Sequence, residues 1–217
     1  MNTTKLGVAM LAALAAMTIG ASGAQAANFT AASYPAFLSA EPSSAGTPTL
    51  AFEGGTEAEC EAFGFGGAIT AATSSLALGP GATGCTDFGA AGTVETNGCE
   101  FVFHPGTGSA DNYAGSFDVT CPAGEEIVVT GNGCEVRIGA QTGLGPVSYE
   151  RLTTAPKEVQ ATFELESAAG FAYTKAVDGA SCPLSGTGAK TDGVIGGGVS
   201  IKAGSIETLE QIDFGIE

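Results

Sequence analysis

His104 is the single imidazole of the 217-residue chain, so a Ser-His-Asp or Cys-His mechanism would have to run through it. Asp111 and Asp118 are its candidate orienting groups, but no G-x-S-x-G elbow accompanies them. With Pro105-Gly106 directly after it, the plainer reading of His104 is an exposed residue at a strand end before a turn. Glu57, Glu59 and Glu61 alternate with Ala58, Cys60 and Ala62, which places the carboxylates along one strand face at spacings of roughly 7 Å. Two carboxylates at that separation could flank a glycosidic bond. A sugar ring would also want an aromatic platform, and the chain has no Trp and only 4 Tyr. A solvated acidic strand that resists edge-to-edge aggregation accounts for the three glutamates more simply. For an ion, the hard oxygens of Asp87, Asn97, Asp111 and Asn112 in turn-rich segments fit calcium, although no D-x-D-x-D-G loop is present. Gly193 and Gly196 to Gly198 form no phosphate loop, since no Lys-Ser/Thr follows them.

The six cysteines, Cys60, Cys85, Cys99, Cys121, Cys134 and Cys182, offer different chemistry. Zinc would want close pairs and histidines, whereas here neighbouring cysteines stand more than ten residues apart beside one His. An even count reads as a disulfide framework, without cofactor. Six cysteines allow fifteen pairings, of which pairing in chain order is our expectation: Cys60 with Cys85, Cys99 with Cys121, Cys134 with Cys182. The tetrapeptide Asn-Gly-Cys-Glu occurs twice, at 97–100 and 132–135. A reactive thiolate would need a basic neighbour, which neither copy has. Asn-Gly is the favoured pair for a two-residue hairpin turn, because both positions need positive φ. Two hairpins are therefore expected, with Val94 opposite Phe101 in the first, and Val129 opposite Val136 and Ile127 opposite Ile138 in the second. In each, the cysteine begins a strand on its apolar face.

The elements that would carry these residues are strands. Period-two alternation recurs in Phe117, Val119 and Cys121, in Val159, Ala161, Phe163 and Leu165, and in Ile212, Phe214 and Ile216. Turn signals such as Gly79-Pro80-Gly81, Asn132-Gly133 and Gly145-Pro146 punctuate them, and helical periodicity is absent after residue 26. The pattern predicts an all-β fold, an antiparallel sandwich or barrel stapled by disulfides. It reads as one domain over 27–217, with a break near 105–110 as the place where two lobes would part.

Residues 1–26 pair one charge, Lys5, with an apolar run from Leu6 to Ile19 and a small-residue end, Ala24-Gln25-Ala26. This is the pattern of a cleaved secretory signal helix, too short to span a bilayer, so the mature chain is expected to be secreted with no membrane anchor. Loss of Lys5 takes the formal charge of −16 to −17, which repels nucleic acid and anionic membrane. Asn28-Phe29-Thr30 satisfies the N-glycosylation pattern next to the cleavage point.

Tyr34-Pro35, Glu59-Cys60-Glu61, Gly84-Cys85-Thr86, Asn97-Gly98-Cys99, Cys121-Pro122-Ala123-Gly124 and Cys134-Glu135-Val136, in that order, resemble a group of secreted, cysteine-containing β-rich proteins of Gram-positive bacteria. The resemblance covers most of the mature chain. It implies an exported β fold and assigns no activity, substrate or catalytic residue. The expectation is an extracellular or cell-surface structural or binding protein, not an enzyme, whose partner would be an envelope polymer or surface protein. Its rivals are a carboxylate-based glycan hydrolase and a calcium-stabilised adhesion-like domain.

Overall fold

The computed structural model describes residues 27–109, 111–163 and 170–217; the expected signal helix and Leu165 lie outside them. In chain order the strands are β1 (Phe29–Ala31), β2 (Ala36–Pro42), β3 (Thr49–Phe52), β4 (Thr56–Ile69), β5 (Leu76–Asp87), β6 (Ala90–Glu95), β7 (Glu100–Ser109), β8 (Asn112–Thr120) and β9 (Ile127–Gly131). They continue as β10 (Cys134–Ile138), β11 (Gln141–Leu152), β12 (Glu158–Phe163), β13 (Phe171–Asp178), β14 (Gly188–Gly196), β15 (Gly198–Ser205), β16 (Gln211–Ile212) and β17 (Phe214–Ile216). The fold is all-β, and every pairing is antiparallel.

These pairings close into two circuits. One runs β2-β4-β5-β7-β8-β11-β12-β15 and returns to β2. The other runs β3-β4-β5-β6-β9-β10-β13-β14 and returns to β3. The architecture is thus barrel-like, since closure leaves each circuit without a free edge. The long strands β4 and β5 belong to both. β4 gives Thr56–Ala58 to β3 and Phe65–Ile69 to β2 through Ala36–Ala40; β5 gives Leu76–Leu78 to β7 and Cys85–Asp87 to β6.

The buried face changes along this shared ribbon. On β4, Ala58 and Cys60 are buried towards one end and Phe63, Phe65 and Ile69 towards the other; on β5, Leu76 and Leu78 give way to Cys85 and Asp87. Strand residues alternate faces strictly, so the shift from even to odd positions means that opposite faces of the ribbon are covered at its two ends. Gly84, at φ +64 inside β5, supplies a backbone conformation that residues with a Cβ rarely adopt. The division between the two parts of the molecule therefore falls on β4 and β5. Near 105–110, the expected place for a break between two lobes, Pro105–Ser109 lie within β7, whose register on β8 shifts between Pro105 and Gly108; Ala110 falls outside the described residues.

The first circuit is filled with rings. Phe65 packs on Phe101 and Phe103 at centroid distances of 5.2 and 5.7 Å, and Phe163 on Phe103 and Phe117 at 6.0 and 5.6 Å. The β1–β17 pair adds Phe29, stacked on Phe214 and edge-on to Tyr149, each at 5.9 Å. The second circuit centres on Phe52, which meets Phe88, Phe171 and Tyr173 at 5.0 to 5.9 Å. Phe101, Phe117 and Val119 of the first meet Ile127, Phe171 and Ile195 of the second around an apolar cavity of about 20 Å³. The two interiors are therefore one continuous core.

Asn132-Gly133 forms the expected hairpin. Both residues have positive φ, +46 and +75, and β9 pairs with β10 with Val129 opposite Val136, Val128 opposite Arg137 and Ile127 opposite Ile138. Asn97-Gly98 corrects the other expectation. It is a tight turn with φ of +49 and +76, closed by Cys99 N donating to Thr96 O at 2.8 Å, but β6 and β7 do not pair and Val94 faces Val129 instead of Phe101. Both strands run antiparallel to β5, β6 beside its last residues and β7 beside its first. They follow one another along β5 instead of folding back, and the turn is a jog where the chain passes between circuits.

Disulfides join Cys60 to Cys85, Cys99 to Cys121 and Cys134 to Cys182. Cys60 and Cys85 are register partners on the shared ribbon. Three such bridges are consistent with an oxidising, extracellular environment.

Candidate functional site

His104 is placed by the alternation of β7: Phe101 and Phe103 point inward, and Val102 and His104 point outward and are half-buried. Its Nε2 lies 2.9 Å from Asp118 Oδ2 on β8, a diagonal contact, since Asp118 stands opposite Val102 and Ser116 opposite His104. Asp118 Oδ1 accepts the Gly143 amide at 2.7 Å, which orients the carboxylate. Of the two candidate orienting groups, Asp118 therefore reaches His104. Asp111 is engaged elsewhere, accepting Arg151 Nε and Nη2 at 3.0 and 2.8 Å, while Arg151 Nη1 donates to Ile216 O at 3.4 Å. Ser116 shares the face of His104, yet among the described residues no hydrogen bond joins its hydroxyl to the ring. The arrangement is an oriented imidazole-carboxylate pair at a strand surface, without a hydroxyl or thiol activated by it.

Glu57, Glu59 and Glu61 are exposed along the outer face of β4, as the alternation requires; Ala62, where the buried face changes, is exposed as well. The oxygen donors considered for calcium are dispersed. Asp87 and Asn97 flank opposite ends of the six-residue β6, separated by roughly 20 Å of extended chain. Asn97 spends its side-chain amide on Glu126 O at 2.9 Å. Asp111 pairs with Arg151, and Asn112 is exposed at the start of β8 opposite Ser109 and Glu150. Among the described residues, no three His, Cys, Asp or Glu side chains come together in a group that could hold a metal ion.

Polar chemistry concentrates at one end of the second circuit, where β3 turns into β4, β5 into β6, β9 into β10, and β13 runs through a loop to β14. Asp87 is completely buried there, opposite Ala58 and Ala90. Cβ atoms placed on Gly92 and Gly131 would come within 2.3 to 2.7 Å of its side chain, so Asp87 fills the space that two glycines leave open. Neither carboxylate oxygen has a hydrogen-bond partner, and burial pushes the group from 3.8 to about 6. Lys175 is also buried; its Nζ donates to Asp178 Oδ1 at 2.8 Å and to Leu184 O in the loop closed by Cys182. Beside them Glu53 accepts the Ser185 hydroxyl and amide at 2.5 and 3.2 Å and meets Lys190 Nζ at 3.3 Å. The Ser185 hydroxyl and the lysine hold its carboxyl below the usual range. Tyr173 accepts the Glu53 amide at 3.1 Å, and burial pushes its hydroxyl up to about 12.

The sequence reading considered Asp87 only as a calcium donor and passed over Lys175. Alternation held the signal for both: Asp87 shares a face with Cys85, and Lys175 with Phe171 and Tyr173. No family model, curated protein or solved structure matches the chain.

Proposed function

We propose that this chain is an exported module that acts outside the cell or at its surface by binding or scaffolding. The observation that carries the reading is the bridging of all six cysteines across a fold whose two circuits are packed solid, which suits a rigid body working in an oxidising medium. The internal cavity of about 20 Å³ has room for about one water molecule, so recognition falls to the outer surface. The partner in this reading is an envelope polymer or a protein of the cell surface. Co-sedimentation of the oxidised protein with isolated envelope of its producing cells, against a free-protein control, tests it. Saturable pelleting is the expected result, and complete retention in the supernatant overturns the reading.

A further inference from the structure

Exposed large hydrophobic side chains are few and unevenly placed. Among the described residues they are Tyr34, Phe37, Val177, Ile206 and Leu209; Phe37, Ile206 and Leu209 belong to one end of the β2–β15 pair, while Tyr34, just before β2, lines a cleft with Arg151, Lys157 and Asp213. Register makes that end a corner: Phe37 stands opposite Gly204 and Ala36 opposite Ser205, and Ile206 to Leu209 form the turn that follows Ser205. The Phe37 ring lies across Gly204, so close that a Cβ there would fall 2.0 Å from it. Tyr34 is held by its hydroxyl, which accepts the Ala31 amide at 3.0 Å.

The turn is built to present its apolar residues. Ser205 Oγ accepts the amides of Glu207 and Thr208 at 3.2 and 3.3 Å, Ser205 O accepts Leu209 N at 2.9 Å, and Ser205 N donates to Glu210 O at 2.9 Å. With its polar groups satisfied internally, the loop holds Leu209 at φ +60 and 76 % exposed. Such a conformation is uncommon for a residue with a Cβ. An apolar patch gathered on a rigid turn is the signature of a contact surface.

We infer that this corner, Phe37, Ile206 and Leu209 rimmed by Glu207 and Glu210, docks a short segment of another protein that is apolar and carries lysine or arginine. The inference rests on the binding-module reading and names its partner. Two observations choose the occupant. The exposed surface of these three residues is on the order of 300 Å², less than half of the ~800 Å² per partner that a stable dimer buries, so it suits a segment better than a second copy. Glu207 and Glu210 are exposed and, among the described residues, make no ion pair with the cations, each of which pairs with another carboxylate. A chain of formal charge −16 bearing two free carboxylates at the rim repels its own copies and attracts a cation-bearing partner.

The probe is a short synthetic peptide of alternating leucine and lysine, titrated into the oxidised protein by calorimetry. Ile206→Ser with Leu209→Ser leaves the charge unchanged and is expected to weaken binding by at least about ten-fold. Glu207→Gln with Glu210→Gln is expected to weaken it and flatten its salt dependence. Val177→Ser and Glu57→Gln with Glu59→Gln, exposed residues away from the corner, are expected to leave it unchanged. Equal binding by the Ile206/Leu209 variant, or an equal loss in the Glu57/Glu59 variant, overturns the inference in favour of general attraction to an acidic surface. Leu209-dependent binding to phosphatidylcholine vesicles overturns it in favour of a lipid surface. Every substituted side chain is exposed, and an unchanged melting temperature checks each fold. Run in the envelope assay, the Ile206/Leu209 variant separates the two ideas. If it pellets like the parent, the corner fails and the binding-module reading stands; if the parent itself stays soluble, that reading fails and the titration still decides the corner.

Discussion

The two strand circuits share β4 and β5 and have the same number of strands, but they are held together by different means. The first has a core of aromatic rings, and its polar side-chain pairs, among them His104–Asp118, Arg151–Asp111 and Lys202–Glu41, lie at partly exposed sites outside that core. The second has fewer rings and keeps two charged groups inside, Asp87 without a partner and Lys175 tied to a loop that the Cys134–Cys182 bridge closes. A core rich in rings gains its stability from buried area and dispersion. A core that also houses charges must satisfy or neutralise them. Cutting each means of support separately exposes the difference.

The largest loss is expected in the first circuit. Phe103 is fully buried against Phe65, Phe117 and Phe163, and neighbouring rings cannot collapse far into the hole that Phe103→Ala leaves. Near the top of the range for buried aromatics, the cost is about 5 kcal/mol, read by chemical denaturation. Removal of Cys134 and Cys182 together, each to Ser, comes next. The bridge spans 48 residues, for which restriction of the unfolded chain gives about 4 kcal/mol. Hydrogen exchange then separates the circuits: protection should fall in β10 and β13 and be kept in β8 and β11. Uniform loss across all four strands would mean that the shared core makes the two circuits a single cooperative unit.

The third prediction concerns the unpaired carboxyl. Asp87 stands at about 6 in the fold against 3.8 when unfolded, so folding favours its protonated form. Its contribution is fully present below about 3.8 and is lost as the pH rises through 6, by about 2 to 3 kcal/mol at neutrality. Glu53, held below its usual value, works in the opposite sense and loses its contribution on acidification. Comparison with Asp87→Asn isolates the first effect: the variant should be more stable than the parent at pH 7.5 and lose that advantage at pH 4. An advantage of equal size at both values would show that Asp87 does not change its protonation between them.

How much of this was legible in the sequence follows from what each signal encodes. Strict alternation identified some of the strands, β4, β8, β12 and β17 among them, and the inward face of Phe101 and Phe103; the burial of Asp87 and Lys175 follows the same period but was passed over, because both are charged. The register of β9 on β10 could be read because a two-residue turn joins neighbouring partners. The circuits could not, since their closure depends on β12 meeting β15 and β14 meeting β3, pairings between segments far apart in the chain that no local pattern encodes. The same holds for the exposed corner, where Phe37 and the turn that carries Ile206 and Leu209 become neighbours only through the β2–β15 register.

The two Asn-Gly-Cys-Glu segments carry the comparison to its smallest scale. Asn-Gly chemistry sets the φ of two residues and leaves open whether the flanking strands become partners: at 132–133 they do, and at 97–98 they pass into different circuits. Gly133→Ala and Gly98→Ala impose a similar backbone penalty, about 1 kcal/mol each, since both glycines sit at φ near +75. Their surroundings differ. A Cβ on Gly133 would stand 3.0 Å from Ser181 Oγ, in the loop that hydrogen-bonds Asn132 and Gly133, whereas one on Gly98 would meet Pro122 at 3.3 Å. The Gly133 variant should therefore be the less stable of the two and should lose amide protection at Gly179 and Cys182, within the second circuit alone. The Gly98 variant should lower protection at Cys99 and leave β9 and β10 untouched. Loss of β9–β10 protection in the Gly98 variant would mean that the jog between circuits also supports the hairpin, and that the two copies act together.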